Sequence, residues 1–423
     1  MRQCVLLIGL VVVLMLGRVA QGQAEVKKDA MPPGWLPVNV LDDKPTWDEF
    51  RKGSDKVHLY VPAGVENVRG IFVCYVFHSG DPRELARLWQ FALVTVPTPF
   101  EYDLGFFDKR NARGKEGRAL GNMGVLLSYL DEAAKELKRP ELSKAPIVGW
   151  TGQNGSVMAN DLFKRAPDRL LCWTDSWYPA WLKYPELIAK VPVASAWEFN
   201  AKERAAERAK IGPTVEGKAT PPDALRCYAS TYGFGHGIYS KWNFFMAYTD
   251  RVIQLRLPEK APPAGQPVKL RDVDITKGWA GDYNEVSNFN KIVPYGEAKG
   301  FVAPTWMPDR YAAHMWRAYH SEKPDIKLVK PIVEYRKGVG PEGGLGYGGQ
   351  VKADTALTFT AETTGQYVKL EFYSGDQLLG ETKSAPWTVE GIKLKRGLHA
   401  LHVVATAADG KQSTSRACFL VVE

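Results

Sequence analysis

The sequence has little cysteine and none of the short motifs that bind zinc. Only 5 of its 423 residues are Cys, too few for a small scaffold held together by disulfides. Neither CxxC nor HExxH occurs, and the close pairs His314/His320 and His399/His402 lack the spacing that puts two ligands on one face of a helix or strand. We therefore expect no metal site and no cofactor. The length predicts two or three domains.

Long apolar runs are also scarce, and the one present lies at the amino end. The run Val5–Leu16 follows a charged start and precedes the small residues of Ala20–Gly22, as in a secretory signal peptide. We predict a signal peptide over residues 1–22 and a secreted or periplasmic protein. No later run reaches about 18 apolar residues, so we expect no membrane association after cleavage. The alternative is an uncleaved membrane anchor.

The chain has no strong excess of charge of one sign. Its formal net charge of +8 falls to about 8 − 2 = +6 if Arg2 and Arg18 leave with the signal peptide. No nucleic-acid-binding module accompanies this charge, so we expect no nucleic-acid partner. One dense basic cluster surrounds a glycine-rich loop and is either a solvated loop or a contact for an acidic polysaccharide. It comprises Lys109, Arg110, Arg113, Lys115 and Arg118.

Four cysteines remain once Cys4 has left with the signal peptide. Cys74, Cys172 and Cys227 lie in apolar, strand-like runs, where cysteine usually behaves as a small buried hydrophobe. An oxidising compartment permits one disulfide among these three and Cys418, but the spacing does not decide the pairing.

Apolar strand-like runs alternate with helical patterns over residues 57–260, after a polar leader over residues 23–56. The alternation predicts an α/β domain with a mainly parallel sheet covered by helices. Ligands of such sheets bind beyond the carboxyl ends of the strands. The predicted strands include GIFVCYVF, ALVTVP, PIVGW, RLLCWTD, Val191–Ala196 and LRCYAS, and the predicted helices include Arg83–Phe91, Gly117–Leu137, AKERAAERAK and Trp242–Leu255.

The pattern changes after the proline-rich hinge PEKAPPAGQP. Residues 261–329 are mixed and contain several tryptophans, and we predict an appendage packed on the α/β domain. Residues 330–423 contain alternating runs such as ALTFTAE, YVKLEFY and LHALHVVATA between Gly, Asp and Ser turns. These runs predict an all-β, antiparallel sandwich of immunoglobulin (Ig) type. Its glycine-rich segment GPEGGLGYGGQ is predicted to be a loop, and no helix follows it to bind phosphate.

The candidate site lies at the turn after the strand PIVGW. In PIVGWTGQNGSVMANDLFKRAPDRL, a strand, a glycine-containing turn and a helix follow each other directly. This order resembles the G-x-S-x-G elbow of α/β hydrolases, with Thr151 and Gly155 at the flanks. Gln153 stands at the position of the serine nucleophile.

The resemblance extends over approximately Val57–Leu257 and is also carried by GIFVCYVFHSGD, VPVASAWEF and YGFGHGIY. The chain resembles secreted bacterial α/β hydrolases of the esterase or polyhydroxybutyrate-depolymerase-like group, followed by a bacterial Ig-like domain. The resemblance implies an α/β-hydrolase-like sheet, with His236 as the base and Asp175 or Glu198 as the acid that orients it. It also implies oxyanion donors from the Asn154 N–H and from the loop that contains His78, Ser79, Gly80 and Asp81.

Gln153 closes the ordinary route, because a glutamine amide cannot be deprotonated near neutral pH and cannot attack an acyl group. The acid position also departs from the family, since Glu198-Phe199-Asn200 stands where a hydrolase often has Asp. Ser156, about one turn into the next helix, is one alternative nucleophile, and Thr151 is another. A third alternative is water activated by His236 and an acid, while Gln153 and Asn154 hold the substrate.

The sequence thus leads to two functional hypotheses. The first is an esterase-like protein that acts on or binds a polysaccharide or a small ester through the cleft, with Gln153, Asn154 and Trp177 on the substrate side. Any catalysis would then be non-standard. The second is a pseudo-hydrolase that keeps the cleft as a non-catalytic module for binding glycan or protein. The oligomeric state stays open.

Overall fold

The computed structural model describes most of the chain. The described residues are 38–44, 57–75, 81–96, 107–108, 120–121, 123–151, 155–176, 188–199, 214–215, 218–219, 224–232, 239–285, 287–321, 325–331 and 347–423. The predicted signal peptide, the basic cluster and the predicted helix AKERAAERAK lie outside them. No helix within these ranges is both long enough and apolar enough to cross a membrane.

Strands and helices alternate in the first part of the chain. In chain order they are β1 (Asn39–Leu41), β2 (His58–Tyr60), β3 (Gly70–Tyr75), α1 (Pro82–Trp89), β4 (Phe91–Val96), β5 (Phe107–Asp108), β6 (Leu120–Gly121), α2 (Met123–Glu136), β7 (Ile147–Thr151), α3 (Gly155–Arg165), β8 (Leu170–Ser176), β9 (Val193–Phe199), β10 (Thr214–Val215), β11 (Lys218–Ala219), β12 (Arg226–Tyr232) and α4 (Tyr239–Arg256).

Eight of these strands form one mixed sheet in the order β1-β2-β4-β3-β7-β8-β9-β12. The six strands from β4 to β12 run parallel to one another. Strand β2 is antiparallel to β4 and parallel to β1. The short strands β5 and β6 pair with each other, as do β10 and β11. The sheet therefore has a parallel centre and two reversed strands at one edge.

The central strands are buried on both faces, as their continuous apolar sequences predict. On one face α4 covers the sheet, and its Phe245 ring lies 6.4 Å from the ring of Trp150 in β7. On the other face the Trp173 ring lies across Gly149, where an added Cβ would stand 2.3 Å from the ring. Only glycine fits at position 149, because Gly149 of β7 pairs directly with Trp173 of β8.

A smaller unit covers the free edge of β12. It contains β13 (Trp279–Asp282), β14 (Ile292–Pro294), β15 (Pro304–Met307) and α5 (Arg310–His320). Side chains of this unit bond to the β12 backbone: Thr305 and the His320 Nδ1 accept from the N–H groups of Tyr228 and Ser230, and Trp316 donates to the Tyr228 carbonyl. These bonds satisfy groups that an uncovered edge strand would leave open to another strand.

The described residues from Ile326 to the end of the chain form strands and turns, without a helix. Its strands are β16 (Ile326–Lys330), β17 (Tyr347–Val351), β18 (Ala356–Thr363), β19 (Lys369–Ser374), β20 (Gln377–Thr382), β21 (Thr388–Lys393), β22 (Gly397–Thr406), β23 (Gln412–Thr414) and β24 (Cys418–Val422). One sheet has the order β16-β18-β21, and the other has the order β17-β24-β22-β19-β20 with β23 on β22. Both contribute to one hydrophobic core.

This β-unit packs on the α/β part. Leu398, Ala400 and Phe419 belong to the same buried hydrophobic cluster as the central sheet. The Tyr311 hydroxyl, at the start of α5, accepts from the Ala400 N–H and donates to the Leu398 carbonyl. Gly375, with a φ of +55°, lies directly beneath the Tyr311 ring. Helix α5 is therefore held between the two larger units.

Several sequence predictions need correction at their boundaries. The first helix ends at Trp89 and Phe91 begins β4, because Gln90 takes a left-handed φ of 58° that ends the helix. Leu120 and Gly121 form β6 rather than a helical turn. The glycine-rich segment is not entirely a loop, because Tyr347–Val351 is β17, which runs parallel to β24 within an otherwise antiparallel arrangement. The sandwich was predicted to begin at residue 330, but β16 (Ile326–Lys330) already pairs with β18.

The four described cysteines, Cys74, Cys172, Cys227 and Cys418, are buried free thiols. The disulfide that an oxidising compartment would permit is therefore not formed among them. Burial raises the pKa of the thiols of Cys172, Cys227 and Cys418 to about 12. They behave as small core residues, as their apolar neighbours in the sequence predict.

Candidate functional site

The carboxyl ends of four parallel strands meet at one edge of the sheet. These ends are Thr151 in β7, Ser176 in β8, Phe199 in β9 and Tyr232 in β12. The segments that follow them contain Gln153 and Asn154, Trp177, Asn200, and His236 respectively. These segments therefore begin at the edge where open α/β sheets bind ligands.

The strand and the helix predicted on either side of Gln153 are present in the backbone, whereas residues 152–154 lie outside the described residues. Strand β7 ends at Thr151 and α3 begins at Gly155, so three residues connect them. Ser156 is the second residue of α3 and thus lies in its first turn. Strand β7 is central in the sheet, since three parallel strands lie on one side of it and two on the other.

Most of the predicted site residues lie outside the described residues. Glu198 and Ser156 are placed by their backbone, in β9 and α3. The side chain of Asp175 is described, and it is the one candidate acid whose environment is known. Those outside the described residues are His78, Ser79, Gly80, Gln153, Asn154, Trp177 and His236.

Asp175 is completely buried near the end of β8. In the sheet register it pairs with Thr151 of β7 on one side and with Ser195 of β9 on the other. Paired residues of parallel strands point to the same face, so a carboxylate and two hydroxyls share one row just below the elbow. Glu198 lies three residues beyond Ser195 and therefore occupies a different row.

Thr151 is engaged in a structural hydrogen bond. Its hydroxyl oxygen accepts from the indole N–H of Trp173 at 2.9 Å, and its side chain is fully buried. This geometry disfavours Thr151 as a nucleophile. The hydroxyl instead holds the Trp173 ring over Gly149.

An ion pair between Asp81 and Arg83 lies at the start of α1, where the predicted oxyanion loop ends. Asp81 accepts from the backbone N–H of Arg83 and caps α1. The Arg83 guanidinium contacts the same carboxylate at 2.7 Å and donates to the Asp42 carbonyl. The Asp81 side chain is therefore used to anchor the end of the predicted oxyanion loop.

A buried carboxylate that the sequence did not single out lies in α4, which follows the His236 segment. Asp250 accepts from the Trp89 indole at 2.8 Å and from the Gln254 amide at 2.7 Å. Burial raises its pKa to about 6. An acidic residue inside the apolar run NFFMAYTDRVIQL was the available signal. Trp89 comes from α1, and no spacing along the chain could have predicted that contact.

No group of three or more His, Cys, Asp or Glu side chains in the described part of the chain could hold a metal ion. His320, one of the histidines in the close pairs, is completely buried. Its Nδ1 accepts from the Ser230 backbone, so its Nε2 carries the proton and donates to the Tyr283 carbonyl. It is thus a structural residue of the β12 edge.

Comparisons with known proteins give only weak similarities. No family model matches the sequence, and no curated protein matches it. A Bacillus cereus carboxylesterase is 12% identical, with a TM-score of 0.27, over 49% of this chain and 100% of its own. Fibronectin(III)-like modules of Clostridium thermocellum CbhA are 21% identical, with a TM-score of 0.19, over 23% of this chain and 93% of theirs.

A third structure is the SGBP-B protein of the Bacteroides ovatus mixed-linkage glucan utilization locus, in complex with a mixed-linkage heptasaccharide. It is 18% identical, with a TM-score of 0.18, over 24% of this chain and 25% of its own. The similar structures thus include a carboxylesterase and a carbohydrate-binding protein, each for part of the chain.

Proposed function

We propose that this chain is an exported, esterase-like protein of the α/β-hydrolase fold in which the ordinary serine mechanism is closed. It acts on or binds a polysaccharide or related ester at the carboxyl edge of the central sheet. The Ig-like unit packed against the sheet would assist attachment to the same ligand or to a partner.

The observation that carries this proposal is the connection between β7 and α3. A central parallel strand passes through only three residues into a helix, which is the strand–turn–helix arrangement that exposes the nucleophile above an α/β-hydrolase sheet. Neighbouring strands end at the same edge and lead into the segments of Trp177 and His236. Gln153 is the middle one of the three connecting residues.

Asp175 supports an acid–base role for the site. In the sheet, Asp175 pairs with Thr151, the last residue of β7. The other candidate acid, Glu198, lies further along β9 and is not level with the end of β7. We infer that Asp175 orients His236, and that His236 activates water while Gln153 and Asn154 hold the substrate. This arrangement needs no covalent intermediate.

The second candidate function is non-catalytic binding of glycan or protein. Glutamine at position 153 favours it, because its amide donates and accepts hydrogen bonds but does not attack an acyl group. The same edge of the sheet would then bind the ligand without converting it.

The test is the release of alcohol from a panel of short acyl esters and sugar esters. Wild type is compared with His236→Ala, Asp175→Asn and Ser156→Ala, and His399→Ala in the β-unit serves as a control. His399 bonds the Ser374 hydroxyl and the Lys395 carbonyl, away from the elbow. We expect turnover that His236→Ala and Asp175→Asn abolish and that His399→Ala preserves.

The other outcomes separate the alternatives. Turnover that is lost in Ser156→Ala would identify a displaced nucleophile and contradict the water mechanism. An absence of turnover across the panel would contradict catalysis on these esters and favour the binding function. Glycan-array binding of wild type and Gln153→Ala would then be measured, and equal binding of both would exclude this edge as the binding surface.

A further inference from the structure

Arg317, on α5, is a buried cation without an anionic partner among the described residues. The residue is 8% exposed. Its Nη2 donates to Nδ1 of His314 at 3.2 Å, and its guanidinium lies 3.8 Å from the centre of the Phe289 ring. Its Nε–H is buried without a hydrogen-bond acceptor in the described ranges. Burial lowers the pKa of Arg317 to about 10, so the side chain stays charged at neutral pH.

Two other buried arginines among the described residues are neutralised or capped. Arg83 faces the carboxylate of Asp81. Arg256, on α4, is 7% exposed and donates to the backbone carbonyls of Leu170, Leu171 and Arg271. No carboxylate and no backbone carbonyl in the described part of the chain accepts a hydrogen bond from Arg317. A buried guanidinium left in this condition is costly, which points to a partner that is not part of these elements.

Side chains around Arg317 form a group of donors between α5 and the β-unit. His402, on β22, is 1% exposed, and its ring centre lies 6.3 Å from that of His314. The Tyr373 ring, on β19, stacks on His402 at 5.5 Å. Because His314 accepts at Nδ1, its Nε2 carries the proton and remains a donor. His314 and Tyr373 are half-buried and form the open side of the group.

The described carboxylates nearby are already engaged. Glu371 accepts from the Tyr373 hydroxyl at 3.3 Å and pairs with Lys369 at 3.0 Å. Asp376 lies 4.0 Å from Nε of Arg310, the second guanidinium that faces the group from α5. The charges facing His314 and His402 are therefore predominantly positive.

We propose that Arg317, His314 and His402, beside the Tyr373 ring, form a binding site for an oxyanion, such as a carboxylate, sulfate or phosphate group. The anion would accept from the Arg317 guanidinium at the bottom of the site and from the imidazoles at its sides. Arg310 contributes charge at the opening. A divalent cation does not fit, because two guanidinium groups flank the imidazoles.

The surrounding electrostatics agree with an anion. Burial, followed by repulsion from Arg317, lowers the pKa of His314 and of His402 to about 3, while the Ala400 backbone partly opposes the shift for His402. Both rings are therefore neutral at pH 7 without a ligand. Such neutral rings donate hydrogen bonds to an anion without adding a further buried charge.

The experiment measures the melting temperature of the full chain at pH 7.5 with increasing sulfate, phosphate or acetate. Chloride replaces each anion in controls so that ionic strength is constant. We expect a saturable rise with at least one of the three anions, and the responding anion shows whether tetrahedral or planar groups bind. Arg317→Gln should weaken binding at least about tenfold, because a charge-assisted hydrogen bond is lost and each 1.4 kcal/mol is tenfold.

Arg256→Gln is the matched control, since it also removes a buried guanidinium but should leave the anion-dependent rise unchanged. The ring resonances of 13C-labelled histidines give a second measurement that needs no variant. Those of His314 and His402 should shift with the dissociation constant obtained from melting. The proposal is overturned if wild type responds to none of the three anions, if Arg317→Gln responds equally, or if other histidine resonances shift instead.

Discussion

The buried carboxylate of Asp250 makes a quantitative prediction about pH. Its pKa is raised by burial from 3.8 to about 6 in the folded protein. At 1.36 kcal/mol for each pH unit, this difference corresponds to about 3 kcal/mol. A carboxyl group whose pKa is raised by folding stabilises the folded state fully below pH 3.8 and loses this contribution as pH rises to about 6. The stability of the wild type therefore falls as pH rises from 4 to 7, because Asp250 becomes ionised in its buried position.

The perturbation that tests this is Asp250→Asn. The amide oxygen can still accept from Trp89, while the amide nitrogen faces the Gln254 Nε2 and loses that hydrogen bond, at a cost of about 1 kcal/mol at every pH. The free energy of unfolding from urea titrations is measured for both proteins from pH 4 to pH 7.5. We expect the difference, variant minus wild type, to increase by about 2.5 kcal/mol over that range, because the carboxyl group of the unfolded chain is already more than half ionised at pH 4.

Asp274→Asn is the control, because Asp274 is exposed and its pKa is lowered by bonds from Thr276. The difference for this variant should not increase with pH. A difference for Asp250→Asn that is constant or that falls as pH rises would refute the assignment of a buried, ionised carboxylate at this position.

Three further predictions concern the packing between the units and the core. Gly375→Ala should destabilise the fold by about 2 kcal/mol or more in urea titration, because φ is +55° and the new Cβ would lie 2.0 Å from the Tyr311 ring. Gly410→Ala, also at positive φ but in open space, should cost about 1 kcal/mol, and equal losses would contradict the role of Tyr311. The pKa of His402 is lowered to about 3, so this histidine destabilises the folded state as pH falls below 6.5. The His402→Phe variant should therefore gain about 1.4 kcal/mol of stability relative to wild type for each pH unit below 6.5. Parallel profiles of unfolding free energy against pH for the two proteins would contradict this. Cys74, Cys172, Cys227 and Cys418 should react with a thiol reagent only after unfolding, and reaction of the native protein at any of them would show that its burial is wrong.

The strands of the central sheet could be predicted from the sequence because they are buried on both faces. Runs such as Ile147–Thr151 and Phe91–Val96 are almost wholly apolar, and turn or helix signals bound them. The order in which they pair is not contained in these runs. It depends on helix packing and on the edge contacts of Thr305 and His320 with β12, which join residues at least 77 positions apart.

Predictions failed where local pattern and tertiary pairing disagree. Tyr347–Val351 is rich in glycine and reads as a loop, but it forms a strand because β24 offers an unpaired edge. Leu120 and Gly121 fit a helical pattern, yet they pair with Phe107 and Asp108. The Asp161 carboxylate then accepts from the Met123 N–H and fixes the start of the helix there.

The candidate site could be predicted as a position in the fold, but not as a set of contacts. The strand that ends at Thr151 and the helix that begins at Gly155 follow from the pattern of the sequence. The Asp250 and Arg317 environments could not be predicted, because each depends on partners from other elements, such as Trp89 and the rings of β19 and β22. Their sequence signal is only a charged residue within an apolar helix.

The proposed function depends on Gln153 standing at the nucleophile position of an α/β-hydrolase elbow. Labelling by a fluorophosphonate probe tests this position, with wild type, Gln153→Ser, and Gln153→Ser combined with His236→Ala compared side by side. We expect no labelling of wild type, slow labelling of Gln153→Ser at position 153, and its loss in the double variant. Labelling of wild type at Ser156, or a folded Gln153→Ser protein that the probe does not label, would contradict the proposal.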